Sequence, residues 1–540
     1  MNKHSLDAVV IADNGQVSLS ASNPLRLQLD GHTATIQVVR NFLGHAGNIV
    51  PPVEGDGFNS WDSAPKLNGI YLYNALSNAG FSVDLINDFQ RERNRFAVLA
   101  LQSPKAVIIS TTFVVSRDTL LSLVREVKRY CPETVVVVGG PFVAFSWRVW
   151  QRKGDYPYDK DELKKDFLFF NATGDETDLY IISDTGEDLL IKALHHLRRN
   201  RFIDDLPNTA RLVNGSYHFS KRVDDLSSWQ DVPIDWATLP DTVFTSGVVP
   251  MRASTGCPNN CSFCNFNKNR LLTRVKPLDI LITEMKAVQA RGAKYVWFAD
   301  DNFRLGKRDL VMVCKRFIDE GLTLKWMTLL RADVLKNIDL ELLHKAGCIE
   351  VQMGIESADS SLLAAMNKQA DPTLYEEIVT RLLKTGINCT CYFIVGFPGE
   401  TEVSVNRTIA FIKRLETIDG KGLLSWSLYP FVLVPGSPIF EADQRAVYKI
   451  EGYKHNWQHK TMDSATAQQW LIKAFMSLEN SGPIYRGDNL EQLNAMPLTQ
   501  LKEFIATRHT LEKQAAGKNL DKAIALEYFK KVFAREGISN

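Results

Sequence analysis

Two separate stretches of this chain alternate short β-branched runs with amphipathic helical segments, a periodicity that leaves few folds open. From about 35 to 200 the runs TIQVV (35–39), SVDLIN (82–87), AVIIST (106–111) and TVVVVGG (134–140) read as strands. Between them, KLNGIYLYNALSNAG and RDTLLSLVREVKRY carry apolar residues at helical spacing, and Gly80 stands where a helix should stop. Strict alternation implies parallel strands joined by right-handed crossovers, hence a doubly wound, Rossmann-like α/β domain that takes ligands at the carboxyl ends of its strands. The second alternation comprises VVPMR, KYVWF (294–298), LKWMT (324–328), IEVQMGI (349–355), CTCYFIVGF (389–397) and LSWSLYPFV (424–432). Its spacing suits βα units and predicts a partial (β/α)6 TIM barrel. The expected layout is a Rossmann-like domain over 1–204, an Asp- and Pro-containing linker over 205–247, a barrel over 248–445 and a small helical carboxyl-terminal domain over 446–540.

Composition excludes several classes. With 45% apolar and 23% charged residues among 540, the chain can bury a full core and is neither disordered nor a disulfide scaffold. Its 63 basic and 62 acidic residues leave a formal charge of +1, so no nucleic-acid partner is expected. No apolar run reaches the roughly 18 residues of a membrane span, and the segment MNKHSLDAVVIADNG lacks a signal-type apolar core. A cytoplasmic location follows, where the eight cysteines are ligands or core thiols rather than disulfides.

The strongest chemical signal is STGCPNNCSFCNF, a C-x-x-x-C-x-x-C array of Cys257, Cys261 and Cys264 just after the first barrel strand. Three thiolates on one tight loop leave an iron of a 4Fe–4S cluster open, whereas a closed zinc site needs a fourth ligand. No further Cys or His occurs between 251 and 275.

The triad, with Phe263 before its last cysteine, resembles the signature of the radical S-adenosylmethionine (SAM) enzymes. That resemblance implies that SAM chelates the open iron and that one electron cleaves it to a 5′-deoxyadenosyl radical. Further segments match in the family's order. WFADDNF places Asp300 and Asp301 where SAM's amino group would lie, and LLRAD offers Arg331 to the SAM carboxylate. MGIES brings Glu356 and Ser357 to the ribose, and IVGFPGE brings Gly396 and Phe397 to the adenine. Tyr453, His455, Trp457 and His459 fall where the family's substrate cap would be, although an ordinary solvated loop explains them too. Cys389 and Cys391 share a strand face and read as small buried hydrophobes.

A doubly wound domain ahead of such a barrel resembles the cobalamin-binding radical SAM subclass. APKLNGIYLYNALSNAGFSVDLIND, the turn Ser110, Thr111, Thr112 and Phe113, the Gly139–Gly140 turn and the turn at Gly186 and Glu187 carry this likeness. The D-x-H-x-x-G string that gives cobalt a histidine is absent, because His45 is followed by Ala46 and Gly47. Cobalt is therefore expected without a histidine ligand, above a loop from Asn41 to Pro65 in which Trp61 is a candidate neighbour. The resemblance implies three cofactors: a 4Fe–4S cluster, SAM and cobalamin. It also implies a small-molecule substrate and a low-potential donor such as flavodoxin or ferredoxin. The implied activity is methyl transfer to an unactivated carbon or a phosphinate phosphorus. A radical rearrangement or cyclisation is the first alternative, a chain without cobalamin whose amino-terminal domain is vestigial or substrate-binding the second, and a non-catalytic iron–sulfur sensor the third.

Overall fold

The computed structural model describes residues 6–15, 25–29, 31–47, 62–199, 206–223, 232–266, 274–303, 307–368, 370–515 and 520–533. They form two compact units, each discontinuous in sequence: 1–22 with 65–240, and 23–64 with 241–540.

The first unit is built on a seven-stranded sheet. Its strands are β1 (Ala8–Ile11), β2 (Val83–Ile86), β3 (Ala106–Ser110), β4 (Val135–Gly139), β5 (Leu179–Ile181), β6 (Thr209–Val213) and β7 (Ser216–Phe219). The order is β2-β1-β3-β4-β5-β6-β7. The first five are parallel, and β6 and β7 add an antiparallel hairpin to the β5 edge. β1 and β3 are buried throughout, as strands covered on both faces must be. Because the chain leaves β1 toward β2 on one side and reaches β3 on the other, the crevice at the carboxyl ends of β1 and β3 is the topological switch point of this sheet.

Two expectations are corrected here. The run at 35–39 is no strand: Ile36–Gly47 is a helix whose apolar face packs, with Leu27 and Leu29, against Phe504, Leu511 and Phe529 of the second unit. Its β-branched residues satisfy a helical stripe as well as a strand, and tertiary burial decides. The first strand is instead β1, in the segment before it. The expected linker is also corrected, since β6 and β7 make part of it sheet.

The second unit carries seven parallel strands in chain order: β8 (Val248–Met251), β9 (Tyr295–Phe298), β10 (Lys325–Leu329), β11 (Cys348–Glu356), β12 (Asn388–Val395), β13 (Leu424–Pro430) and a two-residue β17 (Gly482–Pro483). The six expected βα strands are all present and a short seventh extends them. The segment after 445 is less helical than expected, because β14 (Glu451–Tyr453), β15 (Asn456–His459) and β16 (Met462–Asp463) form an antiparallel sheet ahead of the terminal helices.

Alternation along each strand sorts side chains between helices and lumen. Phe393 meets Phe411 of the helix Glu402–Glu416, and Trp426 meets Phe475 of the helix Ser464–Ser477, so these positions face the helical layer. Cys391 pairs with Trp426 in register and Cys389 lies two residues earlier; both are fully buried on the helix side, not in the lumen. The opposite set points inward. At the amino ends of the strands, Ala64, Val248, Tyr295, Met327 and Leu490 pack into an apolar floor. Above it Glu350, Tyr392, Ser427 and Tyr429 keep partial exposure, so the lumen is open and polar.

Candidate functional site

The cysteine loop begins where β8 ends, and two acidic side chains at the end of β9 hold it. Asp300 is buried and accepts from Ala253 N at 3.2 Å, from Ser254 Oγ at 2.7 Å and from Ser254 N. Burial raises its pKa to about 6. Asp301 accepts from Gly256 N at 2.9 Å. These bonds fasten the backbone immediately before Cys257, so the carboxylate of Asp300, expected near SAM's amino group, is engaged by the loop. Ser262 anchors the other side, donating through N to Met366 O and through Oγ to Ala365 O.

Cys257, Cys261 and Cys264 are free thiols, and they and Phe263 are half-buried. Cys257 Sγ accepts from Asn259 Nδ2 at 3.3 Å, and Cys264 Sγ from Phe266 N at 3.4 Å. Burial pushes the Cys261 thiol up, partly opposed by the positive charges of Lys368 and Arg331, while Glu356 and Cys257 reinforce the rise. The electrostatic neighbourhood of one cysteine therefore contains two expected SAM residues, Arg331 and Glu356, and one that sequence reasoning missed, Lys368. Among the described residues no three His, Cys, Asp or Glu side chains are grouped at metal-ligating spacing.

Glu356 ends β11 with φ +67° and receives a bond from Lys368 Nζ at 2.7 Å, both side chains being nearly buried. Gly354 makes room for this pair, since a Cβ there would lie 2.4 Å from Glu356 Oε1. Arg331 Nε bonds Asp333 Oδ1 at 2.9 Å, at the start of the short helix Ala332–Leu335. Ser357 is fully buried, with Thr408 Oγ1 3.3 Å away and Asp359 N donating to it at 3.1 Å, so it braces the core rather than facing a ligand. Gly396 has φ +95° and lies under the aromatic strand β15, where a Cβ would come within 2.6 Å of Trp457 and 2.7 Å of Ala467. Phe397 is fully buried against Phe431. Trp457 and His459 stack at 5.1 Å and are buried, and His459 Nε2 lies 3.1 Å from Gly396 O. These two rings are packing behind the Gly396 turn; of the expected cap residues only Tyr453 and His455 keep exposure.

Whether the residues fit a cluster and SAM can be asked of the side chains. Three half-buried thiols on one loop, with Lys368 and Arg331 acting on Cys261, suit an anionic, thiolate-ligated cluster. Asn302, on the same turn as Asp301, leaves a buried Oδ1 without a partner. An acceptor sealed from water this way costs free energy unless a ligand donor meets it. The residues fit the group.

In the first unit the expected turns do gather at one sheet edge. Ser110 Oγ and Ala12 O, at the ends of β3 and β1, both accept from Asn68 Nδ2 at 2.8 Å. Thr111 is fully buried and donates through Oγ1 to Gly139 O at 2.8 Å, while Thr112 is exposed and Phe113 half-buried. Gly140, at φ +105°, leaves room for Thr111 beside the β4 turn, since a Cβ there would lie 3.1 Å from Thr111 Oγ1. Gly186 and Glu187 begin the helix Glu187–Arg198 after β5. Lys66 stands 5.3 Å from the Phe113 ring and 3.7 Å from Asp13. Asn68, unremarked in the sequence reading, has a buried Oδ1 with no partner at the switch point. A cofactor rich in amide N–H groups would satisfy it, so the edge fits a corrinoid. Trp61 lies outside the described residues. His45 is exposed on the helix Ile36–Gly47 of the other unit, so the expected loop from Asn41 begins as a helix.

With this geometry in view, the comparisons are specific. Residues 251–412 match the radical SAM superfamily model. Residues 64–164 match the B12-binding domain model, so the chain carries a domain of each kind. The radical SAM domain implies a 4Fe–4S cluster and SAM, and the other domain implies cobalamin.

An uncharacterized methyltransferase of Pyrococcus horikoshii is 27% identical over 245 residues, 44% of this chain and 53% of that protein. The bacteriochlorophyllide d C-12(1)-methyltransferase of Chlorobaculum tepidum is 28% identical over 288 residues, 49% and 60% of the two chains. The chain therefore spans only about half to three fifths of these relatives' lengths. Among solved structures, the radical SAM methyltransferase TsrM of Kitasatospora setae superposes with TM-score 0.54 at 16% identity, covering 81% of this chain and 77% of that one. The cobalamin-dependent radical SAM enzyme OxsB superposes with TM-score 0.56 at 13% identity, covering 99% and 76%. At such identities the superpositions speak to fold alone. No helix among the described residues is long and apolar enough to cross a membrane.

Proposed function

We propose that this protein is a cobalamin-dependent radical SAM methyltransferase acting on an unactivated carbon or a phosphinate phosphorus of a small metabolite or biosynthetic intermediate. The observation that carries the reading is one chain combining a B12-binding domain with a radical SAM domain whose cysteine loop is held by a dedicated hydrogen-bond network. The methyltransferase names of two relatives favour methyl transfer. When bound, the cluster with SAM supplies a carbon radical and cobalamin carries the methyl group. Cys257, Cys261 and Cys264 would hold the cluster, and Asp300 and Asp301 would keep their loop in place. Arg331 presents a planar fork suited to the SAM carboxylate. The Glu356–Lys368 pair and the turn at Gly396 and Phe397 would shape the nucleoside side. Ser110, Thr112, Phe113, Gly139, Gly140, Gly186 and Asn68 would line the corrinoid edge, with Thr111 bracing it from behind. A low-potential donor such as a flavodoxin or ferredoxin would deliver the electron in the cytoplasm.

Anaerobic reconstitution with iron, sulfide, cobalamin, SAM and a reductant tests this. The expected outcome is about four irons per chain, a corrinoid spectrum and formation of 5′-deoxyadenosine, with iron lost when the three cysteines are changed together to alanine. Equal iron content in that triple variant would overturn the reading. Deoxyadenosine without any methylated product would shift it to a rearrangement or cyclisation.

A further inference from the structure

The barrel lumen holds a charged group that the cofactor sites do not use. Arg486 follows the short strand β17 and reaches the inner face of the barrel, where its Nη2 lies 3.5 Å from the hydroxyl of Tyr392. Among the described residues that is the guanidinium's one hydrogen bond, and no carboxylate lies within ion-pairing distance of it. Asp62, whose N–H donates to Arg486 O at 3.2 Å, feels its charge only from further off. Tyr392 and Tyr429 stand on adjacent strands with ring centroids 6.1 Å apart. Glu350, on the same inner face of β11, has one carboxylate oxygen committed to Gln352 Nε2 at 3.2 Å and Thr390 Oγ1 at 2.9 Å.

A half-buried guanidinium with four of its five N–H donors uncommitted among the described residues is available to an anionic partner. The planar fork and the flanking aromatic rings suit a planar anion, and the hydroxyls of Tyr392 and Tyr429 can donate to the same oxygens. Glu350, close enough to interact electrostatically with Arg486, disfavours a dianion such as phosphate.

We infer that Arg486 is the carboxylate-binding residue of the barrel lumen, flanked by Tyr392 and Tyr429, and that it takes a small molecule bearing a carboxylate next to an apolar or aromatic body. This deepens the proposed function by naming a substrate class for the same barrel, and it rests on that reading. The carboxylate is the substrate's, since the proposed function gives that of SAM to Arg331.

The test is ligand-observed NMR on the full-length protein, with 3-phenylpropionate and its neutral amide as probes. The acid is expected to bind at least tenfold more tightly than the amide. R486Q should bring the acid to the level of the amide, R486K should restore part of the difference, and Y392F should weaken the acid severalfold. Thermal melts establish that each variant is folded. SAM is expected to bind together with the acid. SAM that displaces the acid and loses affinity in R486Q would overturn the assignment of Arg486 to the substrate. Equal binding of acid and amide to the wild type, no binding of the acid, or an unchanged acid affinity in folded R486Q overturns it. Because this readout needs no turnover, it fails separately from the radical SAM reading, which falls if wild-type protein forms no deoxyadenosine.

Discussion

Glu400 shows how much a single buried side chain behind the Gly396 turn can control. It is almost fully buried and receives the N–H of Gly396, and burial pushes its pKa up to about 8 from an ordinary 4.5. The folded protein therefore retains a proton that the unfolded chain has already released, so stability is greatest below about 4.5 and falls as pH rises through about 8. Replacing it by glutamine removes the titrating group. Melting curves of wild type and E400Q should diverge with rising pH, the variant gaining on the order of a few kcal/mol relative to wild type between pH 5 and 9; parallel curves would contradict the argument. At Gly396 itself two costs add, a left-handed backbone and a Cβ driven against Trp457 and Ala467. G396A should lose roughly 3 kcal/mol or more of stability in chemical denaturation.

At the scale of elements, the helix Leu67–Asn78 reaches the switch point through a glycine. A Cβ on Gly69 would lie 2.5 Å from Ala12 Cβ and 2.8 Å from a Leu85 methyl, so G69A must lift the helix away from β1. Asn68 would lift with it. The variant should bind markedly less corrinoid, measured by absorbance after reconstitution, while its iron content stays at the wild-type level; unchanged corrinoid would mean that the helix does not shape that edge. The same element illustrates what was legible in sequence. Its apolar spacing and the stop at Gly80, with φ +78°, were readable because both are local. The helix at 36–47 was not, since β-branched residues suit either a strand or a helical stripe and only its burial against the carboxyl-terminal helices decides. β6 and β7 were hidden for a related reason: as a hairpin closing one side of the sheet, with much of its length exposed or half-buried, they lack the apolar run that marks a buried strand.

On the scale of the whole molecule, the second unit depends on residues nearly 500 positions apart. Asp488 accepts from Arg508 at 2.8 Å and from Ile36 N at 2.8 Å, and Arg508 lies 3.5 Å over the ring of Tyr485. All three side chains are buried. D488A strands a buried guanidinium and frees the start of the helix Ile36–Gly47, with an expected cost of about 3–5 kcal/mol. A thermal melt of the full chain reads it, and a loss within ordinary surface-mutation scatter would show that the pair does not hold this segment.

The sequence by itself determined the six barrel strands, the central strands of the first sheet, the cysteine triad and the two cofactor-binding classes, because strand periodicity, turn glycines and ligand spacing are properties of neighbouring residues. Tertiary structure alone decided that Asp300 grips the cysteine loop, that Ser357, Trp457 and His459 are packing, that Lys368 pairs with Glu356, and that Asn68 and Arg486 keep polar atoms without a protein partner among the described residues. Those roles depend on which groups meet across strands and on which polar atoms folding leaves without partners, and neither is a function of distance along the chain.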